Sequence, residues 1–192
     1  MIYPIVAYGD PVLKRKCEEI DEDFEGLQKL IQDMFRTMEN ASGVGLAAPQ
    51  IGKSIRLFIV DASPFSDDEE LDESDRDFLS KFRRVFINPI LLEEKGDKWG
   101  FHEGCLSIPD IREEVMRKPD LVIEYYDESW ELREEKLSGI AARIVQHEYD
   151  HIEGMLFTDR ISPLKRRLLK GKLNDITKGN IDLKYKMKFF KK

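Results

Sequence analysis

The stretch "QHEYDHIEG", Gln146 to Gly154, decides how the rest of this chain is read. The 192 residues contain three histidines, and two of them stand here four apart, with a glutamate directly after the first. Four residues make about one helical turn, so on a helix His147 and His151 stack on one face, close enough to grip a single ion. Two neutral imidazoles in that arrangement suit Zn, Fe, Co or Ni. Glu148 then lies on the flank of the site, where a carboxylate takes a proton from water without being a ligand itself.

The helix has readable ends, with Ser138 as an N-cap and Gly154 as a stop. On a wheel of about 100° per residue its positions fall into three sectors. Ala141, Val145, Tyr149 and Ile152 form a core face. Ile140, Ile144, His147 and His151 share a second. Arg143, Gln146, Asp150 and Glu153 form a polar sector expected to face solvent, although Asp150 could instead brace the site from behind.

Two ligands do not hold a catalytic ion; three with an open position is usual. Downstream of His151 there is no histidine. Glu153 angles away on the same helix, and only Asp159, Asp175 and Asp182 lie beyond it. Upstream, "HEGCLSIPD" (His102–Asp110) offers Cys105 at the end of a strand, beside Gly104, where a thiolate is a strong soft ligand. Strand alternation puts His102 on the opposite face from Cys105, so His102 reads as a surface residue or a neighbour of the ligands. Cys17, set among charges in "LKRKCEEI", reads as a structural or surface thiol.

Around these segments the pattern is mixed. "FEGLQKLIQDMFRTMENA" (Phe24–Ala41) repeats its apolar residues at three- and four-residue steps, predicting an amphipathic helix. "IRLFIVDA" (Ile55–Ala62) and "RVFINPILLEE" (Arg84–Glu94) predict strands, with Pro89 putting the second at an edge or a bulge. "DKWGFHEG" (Asp97–Gly104) and "DLVIEYYD" (Asp120–Asp127) predict two more, the latter in a hairpin with Glu128–Leu137. A last helix is expected from Pro163 to about Ile176. The expectation is an α+β fold, with small mixed or antiparallel sheets around the histidine helix, an outer N-terminal helix and a C-terminal helix.

Composition sets the class. Charged residues make up 36% and hydrophobic residues 41%, enough for a packed core in one domain spanning residues 1–192. Eight carboxylates between Asp67 and Asp77 mark an acidic surface insertion, about residues 63–82. The net charge of −7 hides a basic tail, about residues 163–192, with eleven Lys and Arg against two Asp. Such a tail points to an anionic partner, or simply offsets an acidic body. Two cysteines make no disulfide scaffold, and neither a secretory leader nor a membrane span is expected, so the cytoplasm is the expected compartment.

Three blocks, "GVGLAAPQ" (Gly43–Gln50), "EGCLS" (Glu103–Ser107) and "QHEYDH" (Gln146–His151), resemble peptide deformylase and stand in that family's order. The likeness extends to "INP" near Asn88 and "GMLFTDRISPLKR" (Gly154–Arg166). It implies hydrolysis of the formyl group from N-formylmethionyl peptides. Carried over by position, Cys105, His147 and His151 match the metal ligands and Glu148 the general acid and base. Gln50 and the Leu106 N–H match the oxyanion donors. Gly45 matches the main chain that pairs with extended substrate, and Arg112 a basic residue near its downstream end.

One divalent ion is implied, with Fe²⁺ the expected native metal and Zn²⁺, Ni²⁺ or Co²⁺ able to take its place. Val44, Phe101, Ile140 and Ile144 are candidates for an apolar methionine pocket. Arg143 departs from the family pattern at that pocket's edge, where its stem could line the wall while its head reaches water. The tail suits contact with the ribosome; no DNA or membrane partner is expected.

Two other readings remain open on the residues alone. A protease of the His-Glu-x-x-His type would take its third ligand from downstream and would not need Cys105. A non-catalytic site would close with four ligands, leaving the tail to bind RNA or the ribosome.

Overall fold

The computed structural model describes residues 1–190. The chain opens with a short strand β1 (Ile5–Val6) and helix α1 (Leu27–Asn40). Strands β2 (Gly45–Ala47) and β3 (Leu57–Asp61) follow, then helix α2 (Glu73–Ser80) inside the acidic insertion. Strands β4 (Arg83–Lys95), β5 (Trp99–Cys105), β6 (Ile108–Arg117), β7 (Asp120–Tyr126) and β8 (Leu132–Ser138) lead into helix α3 (Gly139–Ile152). The last part holds helices α4 (Phe157–Arg160), α5 (Pro163–Leu168) and α6 (Lys170–Lys178) and strand β9 (Met187–Lys188).

Five strands form one antiparallel sheet in the order β2-β3-β4-β7-β8. β5 and β6 make a separate antiparallel pair, and β1 pairs with β9 in parallel. The architecture is α+β, as the sequence pattern leads one to expect. Among the described residues no helix is long and apolar enough to cross a membrane.

The large sheet is covered on both faces. Leu57 and Ile59 of β3, with Val85 and Ile87 of β4, pack under Leu30, Ile31, Met34 and Met38 of α1. The alternating residues, Phe58, Val60 and Phe86, face the other way, into a core shared with Ala141, Ala142 and Val145 of α3. Burial on both sides explains why these strands read as continuous apolar runs and not as alternation. Phe58 stacks on Phe86 at 4.6 Å between centroids, and Phe86 meets Tyr125 at 4.3 Å. A third core joins β6 to the C-terminal helices through Ile108, Ile111, Leu156, Phe157 and Leu173.

Pro89 lies on an inner strand, and the ladder accommodates it with a register shift between Ile87 and Ile90. Asn88 turns the chain there in a left-handed conformation, φ +49°. Its side chain reads both backbone groups of Ile20, accepting from N at 3.0 Å and donating to O at 2.8 Å. The bulge thus fastens the N-terminal segment to the sheet.

Two expectations need correction. The single C-terminal helix is two: Ser162 caps α5 through the Lys165 N–H, and the chain turns at Leu169 before α6 runs on to Lys178. The polar sector of α3 does not face solvent. Arg143, Gln146 and Asp150 are buried, and Glu153 is only partly exposed, paired with Arg56 at 2.5 Å and Lys16 at 3.1 Å. The wheel locates a face but not what covers it. β5 and β6 bring countercharges to Arg143 and Asp150, and Gln146 donates to Glu94 of β4 at 2.6 Å.

Replacing Asn88 with Ala should cost about 2–3 kcal/mol, from two lost hydrogen bonds and an alanine forced to positive φ. Asn88→Gly keeps the backbone conformation easy and should recover roughly 1 kcal/mol of that loss. Urea denaturation of both variants checks the order.

Candidate metal centre

Three donors from two elements meet between α3 and the end of β5. Sγ of Cys105 and one ring nitrogen each from His147 and His151 lie within 4.8 Å of one another. Among the described residues this is the one group of three or more such side chains that could hold an ion. Cys105 reaches it because the β5–β6 ladder slips: Gly104 pairs with Arg112, but Cys105 pairs with Ile108. A slip of this kind re-aims one side chain, here the last of the strand.

The donor set fits a transition-metal ion of borderline softness. Atoms bonded to one ion at about 2.1–2.3 Å stand roughly 3.5 Å apart in tetrahedral geometry. Cys105 Sγ and His151 Nε2 are 3.3 Å apart. His147 turns Nδ1 to the Glu103 carboxylate, 2.9 Å away, which orients the ring and leaves its other nitrogen toward Cys105. Burial keeps His151 well below the ordinary histidine value, helped by the charges on His147 and Arg117, so it stays neutral as a ligand must. Burial opposes charge on His147, while the bonds to Cys105 and Glu103 favour it and raise the ring above the ordinary histidine value; an ion held between the donors would take the place of the proton facing Cys105.

Glu148 is buried beside these donors, and its Oε2 has no hydrogen-bond partner. Burial pushes its carboxyl up to about 7, against the pull of the His147 and Arg117 charges. A carboxyl near neutrality suits general acid–base work. Gly45 makes room for it: a Cβ there would fall on the Glu148 carboxylate, 2.7 Å from Cδ. Any side chain at position 45 would displace the acid.

Gln50 sits in the tight helical turn after β2. Its Oε1 accepts from the Ala47 N–H at 2.8 Å, so Nε2 is the end turned to the site, 3.4 Å from both Cys105 Sγ and Ser107 Oγ. A cavity of about 560 Å³ opens over the group. Gly45, Gln50, Leu106 and Arg112 line it, as do Val44, Phe101 and Ile144. Ile140 does not; it packs on the core between α3 and the sheet. β2 forms one edge of the large sheet, so one side of its backbone is free to pair with an extended peptide.

Behind the donors lies a buried ionic network. Glu103 accepts from Arg117 at 2.7 and 2.9 Å and from Arg143 at 3.0 Å, besides His147. Arg117 also donates to Asp150 at 2.7 Å, which Arg160 grips through two further bonds. Arg143 therefore does not send its head to water. Its guanidinium is buried, donating to the carbonyls of Val115 and Trp99 as well, with its carbon 4.4 Å from the Trp99 ring centre. Asp150 braces the site through Arg117.

His102 is exposed and, like Cys105, lines the cavity. Cys17 is buried, and burial pushes its thiol up to about 11, which makes it inert. Sequence reasoning missed Glu103 as the partner of His147, though alternation sets it on the same face as Cys105. It also missed Phe65 and the C-terminal segment, whose Leu183, Tyr185 and Met187 wall the cavity. The apolar–lysine alternation of "LKYKMKF" (Leu183–Phe189) was a legible strand signal.

Comparison with known proteins places the chain among relatives. The family model for polypeptide deformylase matches residues 2–167. A peptide deformylase of Christiangramia forsetii is 59% identical, over 98% of this chain and 96% of that protein. One from Flavobacterium psychrophilum is 53% identical, over 100% and 99%. Among solved structures, a peptide deformylase from Legionella pneumophila superposes with a TM-score of 0.79 at 36% identity, covering 94% of this chain and 98% of its own. The Thermus thermophilus peptide deformylase also gives 0.79, at 39% identity over 93% and 99%.

Removing the arginine that bridges Glu103 and Asp150 strands buried charge, so Arg117→Met should lose about 3–5 kcal/mol. Lys81→Ala, which breaks only an exposed pair with Asp77, should stay within about 0.5 kcal/mol. The network also sets an acid limit. Burial would raise Glu103, but Arg117 and His147 hold it well below its ordinary 4.5. Its contribution is therefore whole above that pH and lost as the pH falls below it. Urea titrations from neutral to acid pH should show a shallower acid decline in Arg117→Met.

Proposed function

The chain belongs to the polypeptide deformylase family, and from that premise we propose how its residues divide the work of hydrolysis. It is a metal-dependent hydrolase that removes the N-formyl group from newly made polypeptides. In the proposed assignment Cys105, His147 and His151 hold the ion. The observation that carries it is the convergence of those three donors beside a buried, unpartnered Glu148. A protease-like reading lacks support, since the third donor comes from upstream and is a thiol.

When bound, the ion supplies Lewis acidity and brings the pKa of water down towards neutrality. Glu148 accepts the proton that the attacking water gives up. The formyl carbon becomes tetrahedral and its oxygen negative. The Leu106 N–H and Gln50 Nε2 donate to that oxygen, and one such donor is worth about 10²–10³ in rate. Glu148 then returns the proton to the departing amine as the C–N bond breaks, leaving formate and a free amino terminus. The peptide lies extended against Gly45 on the free side of β2, with the methionine side chain among Val44, Phe101 and Ile144. Arg112 stands near the downstream end.

Fe²⁺ is the proposed native ion; a thiolate with two imidazoles suits several metals, and availability chooses among them. The proposed compartment is the cytoplasm, where nascent chains are made. The basic C-terminal region is the proposed ribosome contact. Arg166, Arg167, Lys170 and Lys172 are exposed along α5 and α6 in support of it. Deleting residues after Lys178 would be a poor test, because that segment also walls the cavity.

Formate release from formyl-Met-Ala tests the assignment. Glu148→Ala should lose at least about 10³-fold in kcat while retaining one ion per chain. Cys105→Ser, purified without oxygen, should lose the ion itself; a full complement of metal in that variant, or normal turnover in Glu148→Ala, defeats the assignment. Comparing anaerobic protein loaded with Fe²⁺ and with Zn²⁺ addresses the metal. Reversing charge at Arg167 and Lys170 should weaken co-sedimentation with ribosomes and leave hydrolysis of the free dipeptide unchanged.

A further inference from the structure

The match to the family model ends at residue 167, yet the segment beyond α6 returns to the metal centre. It does so as an ordered strand. The Ile5 N–H donates to the Lys186 carbonyl at 2.8 Å and the Ala7 N–H to the Lys188 carbonyl at 2.9 Å, so β9 is stitched along β1. Alternation along β9 turns Tyr185, Met187 and Phe189 inward and leaves Lys184, Lys186 and Lys188 outside.

Tyr185 does more than fill the wall. Its hydroxyl donates to the Leu106 carbonyl at 2.7 Å. The next carbonyl, that of Ser107, accepts from the Tyr8 N–H at 2.9 Å, just past β1. Two consecutive carbonyls of the turn after Cys105 are therefore held by the β1–β9 pair. The Leu106 side chain is fixed from the other side, where a Cβ on Gly43 would come within 2.8 Å of its Cδ1. A phenol is an ordinary donor at neutral pH, and removing its oxygen alone leaves the ring in place.

We propose that Tyr185 is a positioning residue for the deformylation reaction: it anchors the Leu106–Ser107 peptide, the unit joined through the Leu106 Cα to the one that carries the N–H beside Cys105, so that this N–H keeps its aim at the substrate oxygen. The inference rests on the reading of Leu106 and Gln50 as oxyanion donors. It assigns a part in the reaction to a segment outside the family match. A donor preorganised in this way stabilises developing charge without rearranging during the reaction.

Tyr185→Phe in the full-length, zinc-loaded protein is the test, with Gln50→Ala beside it. In Tyr185→Phe kcat for formyl-Met-Ala should fall about tenfold while KM stays within about twofold, because the ring still walls the cavity. Amide hydrogen exchange at Leu106 and Ser107, read by NMR in both metal-free and zinc-loaded protein, should quicken by about tenfold, with the other amides, the zinc content and the melting temperature unchanged. Wild-type kcat in Tyr185→Phe overturns the proposal, whether or not exchange quickens. So does wild-type exchange at Leu106 with a lowered kcat, since the loss would then come from elsewhere. Gln50→Ala keeps the two levels apart. If it turns over normally, the oxyanion reading has failed; if it is impaired while Tyr185→Phe is not, only the tether has failed.

Discussion

One carboxylate organises the centre of this molecule. Glu103, buried on β5, faces four donor nitrogens from Arg117, Arg143 and His147. Two of those residues belong to α3 and one to β6, so a single side chain fixes the helix that carries the imidazoles against the strand that carries the thiol. A buried network of this kind adds little net stability, because desolvation offsets most of the attraction. What it supplies is register. Apolar residues of equal volume would let helix and strand slide, and donors that must meet around one point tolerate little sliding.

The same logic explains the small residues nearby. Gly45 is part of an edge strand, where a peptide can add its own backbone, and also the floor on which Glu148 rests. Both uses exclude a side chain. The free side of that strand and the Glu148 carboxylate are thereby separated by one residue's main chain.

Much of this was legible before any coordinates. His147, Glu148 and His151 announce themselves by local spacing, and Cys105 by a strand that ends in glycine and a turn. The strands of the large sheet were legible for a different reason: burial on both faces makes Leu57–Val60 apolar throughout. What local pattern could not give was the covering of α3. Arg143, Gln146 and Asp150 look like a solvent face because they are polar, and only the long-range docking of β4, β5, β6 and α4 turns that face inward. Likewise, alternation in Leu183–Phe189 marks a strand but not its partner. That partner, β1, lies at the other end of the chain.

That pairing bears on how the enzyme itself is made. Residues 5–6 leave the ribosome long before their partners at 187–188. Closing so long a loop is slow and comes late, after the local helices have formed. Between the synthesis of His151 and that of β9, the chain carries the thiol and both imidazoles without the strand that seals their flank. The catalyst for maturing nascent proteins is thus itself completed late in the life of its own nascent chain.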